Sequence, residues 1–353
     1  MSDVALTRIL EFRSDYMNGR GLDKAELNST APDLLRYFLR QNLFNSELLA
    51  AGKKFPEHVV REPVLNDDGV ILANSITATV PDNPVDSAFV DYTYTPYVFK
   101  FTIRPEEYAF NEVPYRSVFN EKMRRGLEAM VKQIEQEKCQ ALLEADKNQY
   151  WSSEVLGVFA GGQVGDALQI SVAERNLAYN KLNHIEALED FQDTNLDVIA
   201  STLHMPLIEE LGAQGIGNAE NQQFQLGNFN FTRSNRIPTG AGNQGTIFVL
   251  PPNSVGIGHW IPPSFTGQGI ESQQDITDIN YGVTPIMPMI GMPLGYRYEA
   301  KEDVSTSLSN SNGIGLTKVE TYQFMTYITS KSVYNSDRAN RFNPIFKAEF
   351  KSS

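Results

Sequence analysis

Residues 111–150, NEVPYRSVFNEKMRRGLEAMVKQIEQEKCQALLEADKNQY, decide the fold. Apolar side chains recur at Phe119, Met123, Leu127, Met130, Ile134, Ala141 and Ala145, close to the helical period. Pro114 suits a first-turn position, and the next proline is Pro206, so nothing in the stretch has to break a rod. Glu121 with Arg125 and Glu128 with Lys132 are i,i+4 pairs on its exposed side. Gly126 is the weak point, costing about 1 kcal/mol against alanine. The stretch predicts one helix of roughly 45 to 55 Å. A helix of that length is either the spine of a domain or its ordinary core helix.

Working outward, the 353 residues, 41% of them hydrophobic, suffice for a sizeable core in one large or two to three smaller domains. The net charge of -13, from 43 acidic and 30 basic residues, is spread along the chain with no basic run, which argues against a dedicated nucleic-acid surface. The only cysteine, Cys139, excludes an internal disulfide and a cysteine-ligated zinc; inside the long helix it reads as an inert packed thiol. The first residues, MSDVALTRILEFRSD, carry charges throughout and are no secretory signal, and no apolar run is long enough for a membrane span. Synthesis in a cytoplasm is therefore expected, and the glycosylation-type triplets at Asn28 and Asn230 carry no meaning there.

Residues 1–65 read as a helix-bearing arm, with Thr30 as cap, Pro32 in the first turn, an apolar segment Leu34–Leu49 and Gly52 at its end. Lys53–Pro63 reads as an extended connector. Alternation at Val70, Leu72, Ile76, Ala78 and Val80, and the run AFVDYTYTPYVFKFTI at 88–103, predict two long strands joined through PDNPVDS. A hairpin of two such strands is marginal alone. Phe89, Tyr92, Tyr94, Tyr97, Phe99 and Phe101 need a covering surface, which belongs either to a larger sheet of the same domain or to another subunit. Pro96 and Pro105 favour sheet edges.

After the long helix, VLGVFAGGQVGDA reads as a β region and Val172–Asp190 as helical. LDVIAST is a short strand, MPLIEELGAQG a short helix, and QFQLGNFNFTRSNRIP and GTIFVLPPNSVGIGHWIPP are strand-like, so that 190 to about 300 form a separate α/β lobe. LTKVETYQFMTYITSKSVY is a long β segment, and FNPIFKAEF a terminal strand with Phe346, Ala348 and Phe350 on one face.

Catalytic patterns are missing. His58, His184, His204 and His259 form no paired-ligand spacing, so no metal site is expected. GAGNQG, Gly240–Gly245, matches a glycine-rich dinucleotide loop only formally, because it precedes a strand instead of following one and opening a helix; it reads as a flexible turn. No phosphate-loop or nucleophile-elbow motif occurs, and no carboxylate pair stands out. No enzyme activity and no cofactor are expected.

The order of helical arm, long β-ribbon, long helix, α/β lobe and returning strands resembles the major capsid protein of tailed phages, the Hong Kong 97 type of α+β fold. The likeness is carried by SAFVDYTYTPYVFKFTIRPEEYAFNEVPYRSVFNEKMRRGLEAMVKQIEQEKCQALLEA, where a ribbon runs into the long helix, and by DVIASTLHMPLIEELG followed by FTRSNRIPTGAGNQGTIFVLPPNSVGI. The resemblance implies an N-terminal arm (1–65), an extended E-loop hairpin (66–112) lying on a neighbouring subunit, a spine helix and peripheral domain (113–189), an axial domain (190–300) and return strands of the peripheral domain (301–353). It makes the six aromatic residues subunit-interface candidates and Gly126 a hinge candidate in the spine. It also implies hexamers and pentamers of the chain in an icosahedral virion shell assembled in a bacterial cytoplasm, with portal and scaffolding or minor capsid proteins as partners and packaged DNA held only non-specifically. Lys100, on what reads as an interior strand, is a poor candidate for the lysine through which some relatives crosslink. A cleaved scaffold extension is not visible, so a separate scaffolding protein or a mature chain is expected. An encapsulin shell, or an unrelated cytoplasmic enzyme or binding protein, are the alternatives.

Overall fold

The arm is helical and lies on the core by one face of each helix. In this computed structural model, which describes residues 4–18, 33–41, 43, 59–66, 86–105, 114–149, 151, 153–159, 163–164, 167–171, 174, 181–182, 195–204, 223–226, 229–237, 243–262, 279–303, 317–333 and 343–351, α1 is Val4–Asn18 and α2 is Asp33–Arg40. Ala5, Ile9 and Phe12 on α1, and Leu34, Leu35, Tyr37 and Phe38 on α2, are buried at helical spacing. Thr30, Pro32 and Gly52 fall outside the described residues, as does the apolar run from 44 to 49.

Strand β1 (Val59–Asn66) pairs antiparallel with β2 (Asp86–Thr93), Val59 opposite Thr93 and Asn66 opposite Asp86, as a two-stranded sheet. The expected arm at 70–80 lies outside the described residues. The observed partner instead includes the end of the segment expected to be a connector; Pro63 is tolerated because a two-stranded ribbon consists only of edges. Strand β3 (Thr95–Ile103) belongs to a different sheet.

The long helix is continuous from Tyr115 to Ala145, about 45 Å, as α3 (Tyr115–Ile134), a π-helical segment Glu135–Gln140 and α4 (Ala141–Ala145). Pro114 sits at its N-cap, where Ser117 and Val118 donate to its carbonyl at 3.0 and 3.4 Å. Phe119, Met123, Leu127, Met130 and Ile134 are buried as expected, but Ala141 and Ala145 are exposed, and Cys139 and Leu143 take the buried positions. The wider π turns rotate everything after Ile134 away from the α-helical phase. On the outer side Arg125 pairs with Glu121 at 2.5 Å as expected, while Glu128 accepts from Arg124 at 2.6 Å.

A short helix, α5 (Ser153–Val158), occupies part of the stretch expected to be β. It precedes β4 (Gln163–Val164), β5 (Ala167–Ser171), β6 (Leu196–Ser201), β7 (Gln223–Leu226), β8 (Phe229–Ser234) and β9 (Asn243–Leu250). The chain then gives β10 (Val255–Trp260), β11 (Ile279–Val283), β12 (Gly295–Asp303), β13 (Thr317–Ser332) and β14 (Phe346–Lys351). These make a seven-stranded mixed sheet in the order β4-β5-β14-β9-β6-β8-β7 and a five-stranded antiparallel sheet in which β13 is flanked by β12 on one side and by β10 and β3 on the other. Every residue of β6 is buried, as a central strand requires. Phe346, Ala348 and Phe350 share a buried face of β14, as the sequence implies.

Sheet membership cuts across the expected 190–300 lobe. Residues 196–250 join 163–171 and 346–351, whereas 255–260 and 279–303 join β3 and β13. The change of sheet occurs at Pro251-Pro252-Asn253, a turn with Asn253 at φ 61°, a conformation asparagine tolerates. The start of GAGNQG is outside the described residues; its last three, Asn243–Gly245, are already β9. Of Val172–Asp190, Glu174, Lys181 and Leu182 are described, the last two in an α-helix and Glu174 in a 3-10 turn, and MPLIEELGAQG lies outside the described residues after His204. No helix among the described residues is long and apolar enough to cross a membrane.

Helix α2 and the π segment tie the two sheets together. Glu135, 1% exposed, accepts from the Leu35 amide at 3.1 Å, one of the unpaired donors at the start of α2, and from Arg236 Nε at 3.2 Å. Burial raises the Glu135 pKa, and those two donors oppose the rise. Tyr37 donates to Asp197 on β6 at 2.8 Å, and Asn230 on β8 donates to the other oxygen at 3.1 Å.

Candidate assembly surface

Residues 86–103 form a single run of strand that changes partner at Tyr94. Up to Thr93 it bonds to β1; from Thr95 it bonds to β13, with Thr95 opposite Ile328 and Ile103 opposite Glu320. The ribbon β1–β2 therefore leaves the five-stranded sheet at one residue. Its root is an aromatic cluster: Tyr94 against Trp260 (ring centroids 5.8 Å) and Trp260 against Tyr327 (5.3 Å), with Tyr92 packed beside them. Lys331, largely buried, forms an ion pair with Glu62 on β1 and lies 5.7 Å from the Tyr92 ring centroid. Burial alone pushes the Tyr94 phenol up to about 12, and its buried hydroxyl has no hydrogen-bond partner among the described residues. Tyr92 is also pushed up to about 12, by burial first and then by Glu62 and Asp146. Along the ribbon, Arg61 and Asp91 stand directly opposite and pair through two bonds of 2.7 and 2.9 Å, which lowers the Asp91 pKa.

The six aromatic residues separate into two groups. Tyr97, Phe99 and Phe101 point to the inner face of the five-stranded sheet and find their cover in this chain: Tyr97 is 2% exposed, Phe99 stacks on Phe324 at 4.9 Å and Phe101 on Tyr322 at 5.3 Å, with Phe119 of α3 edge-on to Phe101 at 5.6 Å. Tyr94 and Tyr92 lie at the root. Phe89 is on the ribbon, opposite Pro63. The larger-sheet alternative thus holds for the β3 half of the run.

Gly126 has a steric role. A Cβ there would overlap the Phe99 ring, so the absent side chain is what lets β3 lie close on α3. The helix is irregular instead at Glu135–Gln140. Lys100, expected on an interior strand, is exposed on the outer face of β3, which among the described residues has β13 as its one strand partner; on its other side the Lys122 ammonium donates to the Thr102 carbonyl at 2.7 Å.

The N-terminal helix is clamped to the same sheet. Arg8 on α1 donates to Tyr115 at 2.5 Å and also bonds Glu320 and Tyr322 of β13; Tyr115 donates to Glu320 at 2.5 Å. Further along α1, Asp15 accepts from Arg116 at 2.7 and 2.6 Å and from Asn120 at 3.0 Å. Burial works against the Glu320 carboxylate, yet the bonds from Tyr115 and Arg8 outweigh it and hold its pKa below the usual value. The sequence reading of the first residues stopped at their charges and missed the Ala5, Ile9, Phe12 stripe that would have placed α1 on a core.

No family model matches the sequence, and no curated protein matches it. The solved structures similar to it are mainly phage capsids. The chain is similar to one from Mycobacterium phage Che8, at 12% identity over 88% of this chain and 89% of that one, with a TM-score of 0.48. It is similar to the capsid structure of the cyanophage P-SCSP1u, at 10% identity over 84% and 83%, TM-score 0.44. It is also similar to the holo-SrpI encapsulin complex from Synechococcus elongatus PCC 7942, at 13% identity over 92% and 89%, TM-score 0.45.

Proposed function

We propose that this chain is the major subunit of a phage capsid, copies of which assemble as hexamers and pentamers into an icosahedral shell around double-stranded DNA. The observation that carries the reading is the ribbon, which continues a core strand past Tyr94 and, among the described residues, pairs there with β1 alone. A two-stranded ribbon is marginal in water, so a surface on another subunit would stabilise it. On this reading α1 and α2 would be the arm, the ribbon the E-loop, and α3 to α4 the spine. We assign the five-stranded sheet and the spine to the peripheral domain and the seven-stranded sheet to the axial domain, in place of boundaries at 190 and 300. Portal and scaffolding or minor capsid proteins are the expected partners, and with a net charge of -13 the subunit would hold DNA by confinement without specific contacts. Neither catalysis nor a cofactor enters this role, and its setting is the virion, after assembly in the bacterial cytoplasm.

Electron microscopy of the purified protein tests the proposal, with closed shells as the expected result. A protein that stays monomeric under all assembly conditions would overturn it in favour of an enzyme or binding protein. Shells produced in the native host that carry an enzyme cargo and no nucleic acid would turn the reading to an encapsulin.

A further inference from the structure

Four strands of the five-stranded sheet bring one row of side chains to its outer face. Lys100 stands opposite Gln323, Gln323 opposite Arg297, and Arg297 opposite Tyr281. In the next row of the same face Thr321 stands opposite Glu299, because residues two apart along a strand point the same way. With neighbouring strands about 4.8 Å apart, Lys100 and Arg297 flank Gln323 at roughly 10 Å from each other. Lys100, Arg297, Glu299, Thr321 and Gln323 line a small polar cleft there.

The charges of the cleft do not balance. The exposed Lys100 ammonium has no ion pair or hydrogen bond among the described residues. Arg297 reaches Glu299 only at 3.5 Å, and Glu299 is already paired with Lys301. The Arg297 Nε is buried with no acceptor among the described residues, a donor whose lost hydration is not offset. Its guanidinium carbon lies 5.7 Å from the Tyr281 ring centroid, a contact that helps to fix the group before any ligand arrives. Lys100, Arg297 and Lys301 against Glu299 leave two positive charges on a chain of net charge -13, with the Gln323 amide and the Thr321 hydroxyl as neutral donors beside them. A carboxylate would answer one of those charges, whereas a terminal phosphate carries about -1.5 to -2 at neutral pH and offers three acceptor oxygens.

We infer that this cleft binds a phosphate dianion, as inorganic phosphate or as the terminal phosphate of a small molecule, between Lys100 and Arg297 and over Gln323. The two cations approach the anion from strands on either side of β13, and Glu299, with its charge answered by Lys301, orients Arg297. The cleft is small, so the phosphate group enters and the rest of an ester stays outside. The site is complete within one chain, and its test does not depend on shell formation. Because the folded chain holds the ligand and the unfolded chain has no such arrangement, occupancy stabilises the subunit.

The test titrates the unassembled full chain with inorganic phosphate, followed by 31P line broadening and by melting temperature, against chloride at equal ionic strength. Saturable binding and a melting temperature that rises with phosphate and not with chloride are expected. Lys100→Gln with Arg297→Gln should raise the Kd at least tenfold and abolish the rise. Should the double variant unfold, Lys100→Gln alone, at an exposed side chain, should raise the Kd at least threefold with melting in chloride unchanged. Arg125→Gln, which removes an exposed cation on the spine helix, should leave the Kd as it is. Adenosine monophosphate separates the sources: tighter binding than inorganic phosphate assigns the site to an ester, equal or weaker binding to the free ion. No saturable binding by the native chain, or an equal loss in Arg125→Gln, would overturn the inference, the latter by showing a response to overall charge. Binding of a short DNA duplex that needs Lys100 and Arg297, in a chain that does not take up inorganic phosphate, would overturn it in favour of nucleic acid.

Discussion

Asp86–Thr93 and Thr95–Ile103 are halves of one run of strand with different fates. Their composition is alike, with Phe89, Val90 and Tyr92 in one and Tyr97, Val98, Phe99 and Phe101 in the other. The second half lies between β13 and α3 and fills the core; the first, among the described residues, pairs with β1 alone. Aromatic and β-branched residues at alternate positions make both halves strands. Whether a strand is core or ribbon depends on what lies over it, and composition does not carry that.

The comparison breaks first under deletion. Replacing residues 64–88 by Asn-Gly joins Pro63 to Phe89, which are register partners, through a turn suited to a hairpin. It keeps the Glu62–Lys331 pair. The subunit should melt within a few degrees of the native one, on the order expected for a sub-kcal/mol change, and form no shells by electron microscopy. Carrying the excision on through residue 98 would remove Tyr97 from the core and should unfold the subunit. If the shorter deletion also unfolds it, the ribbon is part of the subunit's own stability and the contrast between the halves fails.

Single truncations sharpen the same contrast. Phe99→Ala takes a ring from between Phe324 and Gly126 and should cost about 3 to 4 kcal/mol in denaturant unfolding. Phe89→Ala, on the ribbon, should change subunit stability by less than about 0.5 kcal/mol and show itself in shell yield. Equal losses of stability at the two positions would contradict the division at Tyr94.

Much of this fold was legible because local pattern and final environment agree. Phe346, Ala348 and Phe350 alternate and are buried; Leu196–Ser201 is apolar and central; Phe119 to Ile134 keep the helical period and line the core. What was not legible depends on non-local packing. A straight helical period places Ala141 and Ala145 in the buried stripe, and the π turn that rotates them out begins at Glu135, whose hydrogen-bond donors, Leu35 and Arg236, are about a hundred residues away in either direction. The switch of sheets at Pro251–Asn253 likewise has no signature beyond a turn. Charge taken over the whole chain also averages away the stretch from Glu62 to Phe99, which holds six carboxylates and no basic residue.

A third test concerns how the arm is held on the β3 side of the molecule. The Glu320 pKa is lower in the folded protein than in the unfolded chain, so its contribution is full at neutral pH and is lost as pH falls through the folded value, below the ordinary carboxylate range. Amide exchange across Val4–Asn18 should accelerate on acidification before that of the five-stranded sheet does. Glu320→Gln should show the faster exchange already at neutral pH. Unchanged protection of α1 in that variant would mean that Arg8 and Tyr115 do not depend on the carboxylate.

Gly126→Ala discriminates packing from mechanics. A free hinge position would gain up to about 1 kcal/mol from the better helix former. Because the new methyl would overlap Phe99, the expected result is a loss of about 1 to 3 kcal/mol, partly relieved by adding Phe99→Leu. A stabilised subunit would restore the hinge.

The smallest effect is expected at the boundary itself. Tyr94 is where the strand exchanges β1 for β13, it is 4% exposed, and its hydroxyl is buried without a partner among the described residues. An unpaired buried hydroxyl costs the desolvation it underwent, while the ring keeps its contact with Trp260 whether or not the oxygen is present. Tyr94→Phe should therefore stabilise the isolated subunit, by up to about 1 kcal/mol, because the gain from removing the hydroxyl is offset by no lost bond. Thermal melting of unassembled protein measures this directly. A destabilised variant would show that the hydroxyl bonds to something in the free subunit, and the root of the ribbon would then be held by a polar contact as well as by its aromatic stack and the Glu62–Lys331 pair. The expected stabilisation would leave the stack and that one ion pair as the interactions that fix the direction in which the ribbon leaves the sheet.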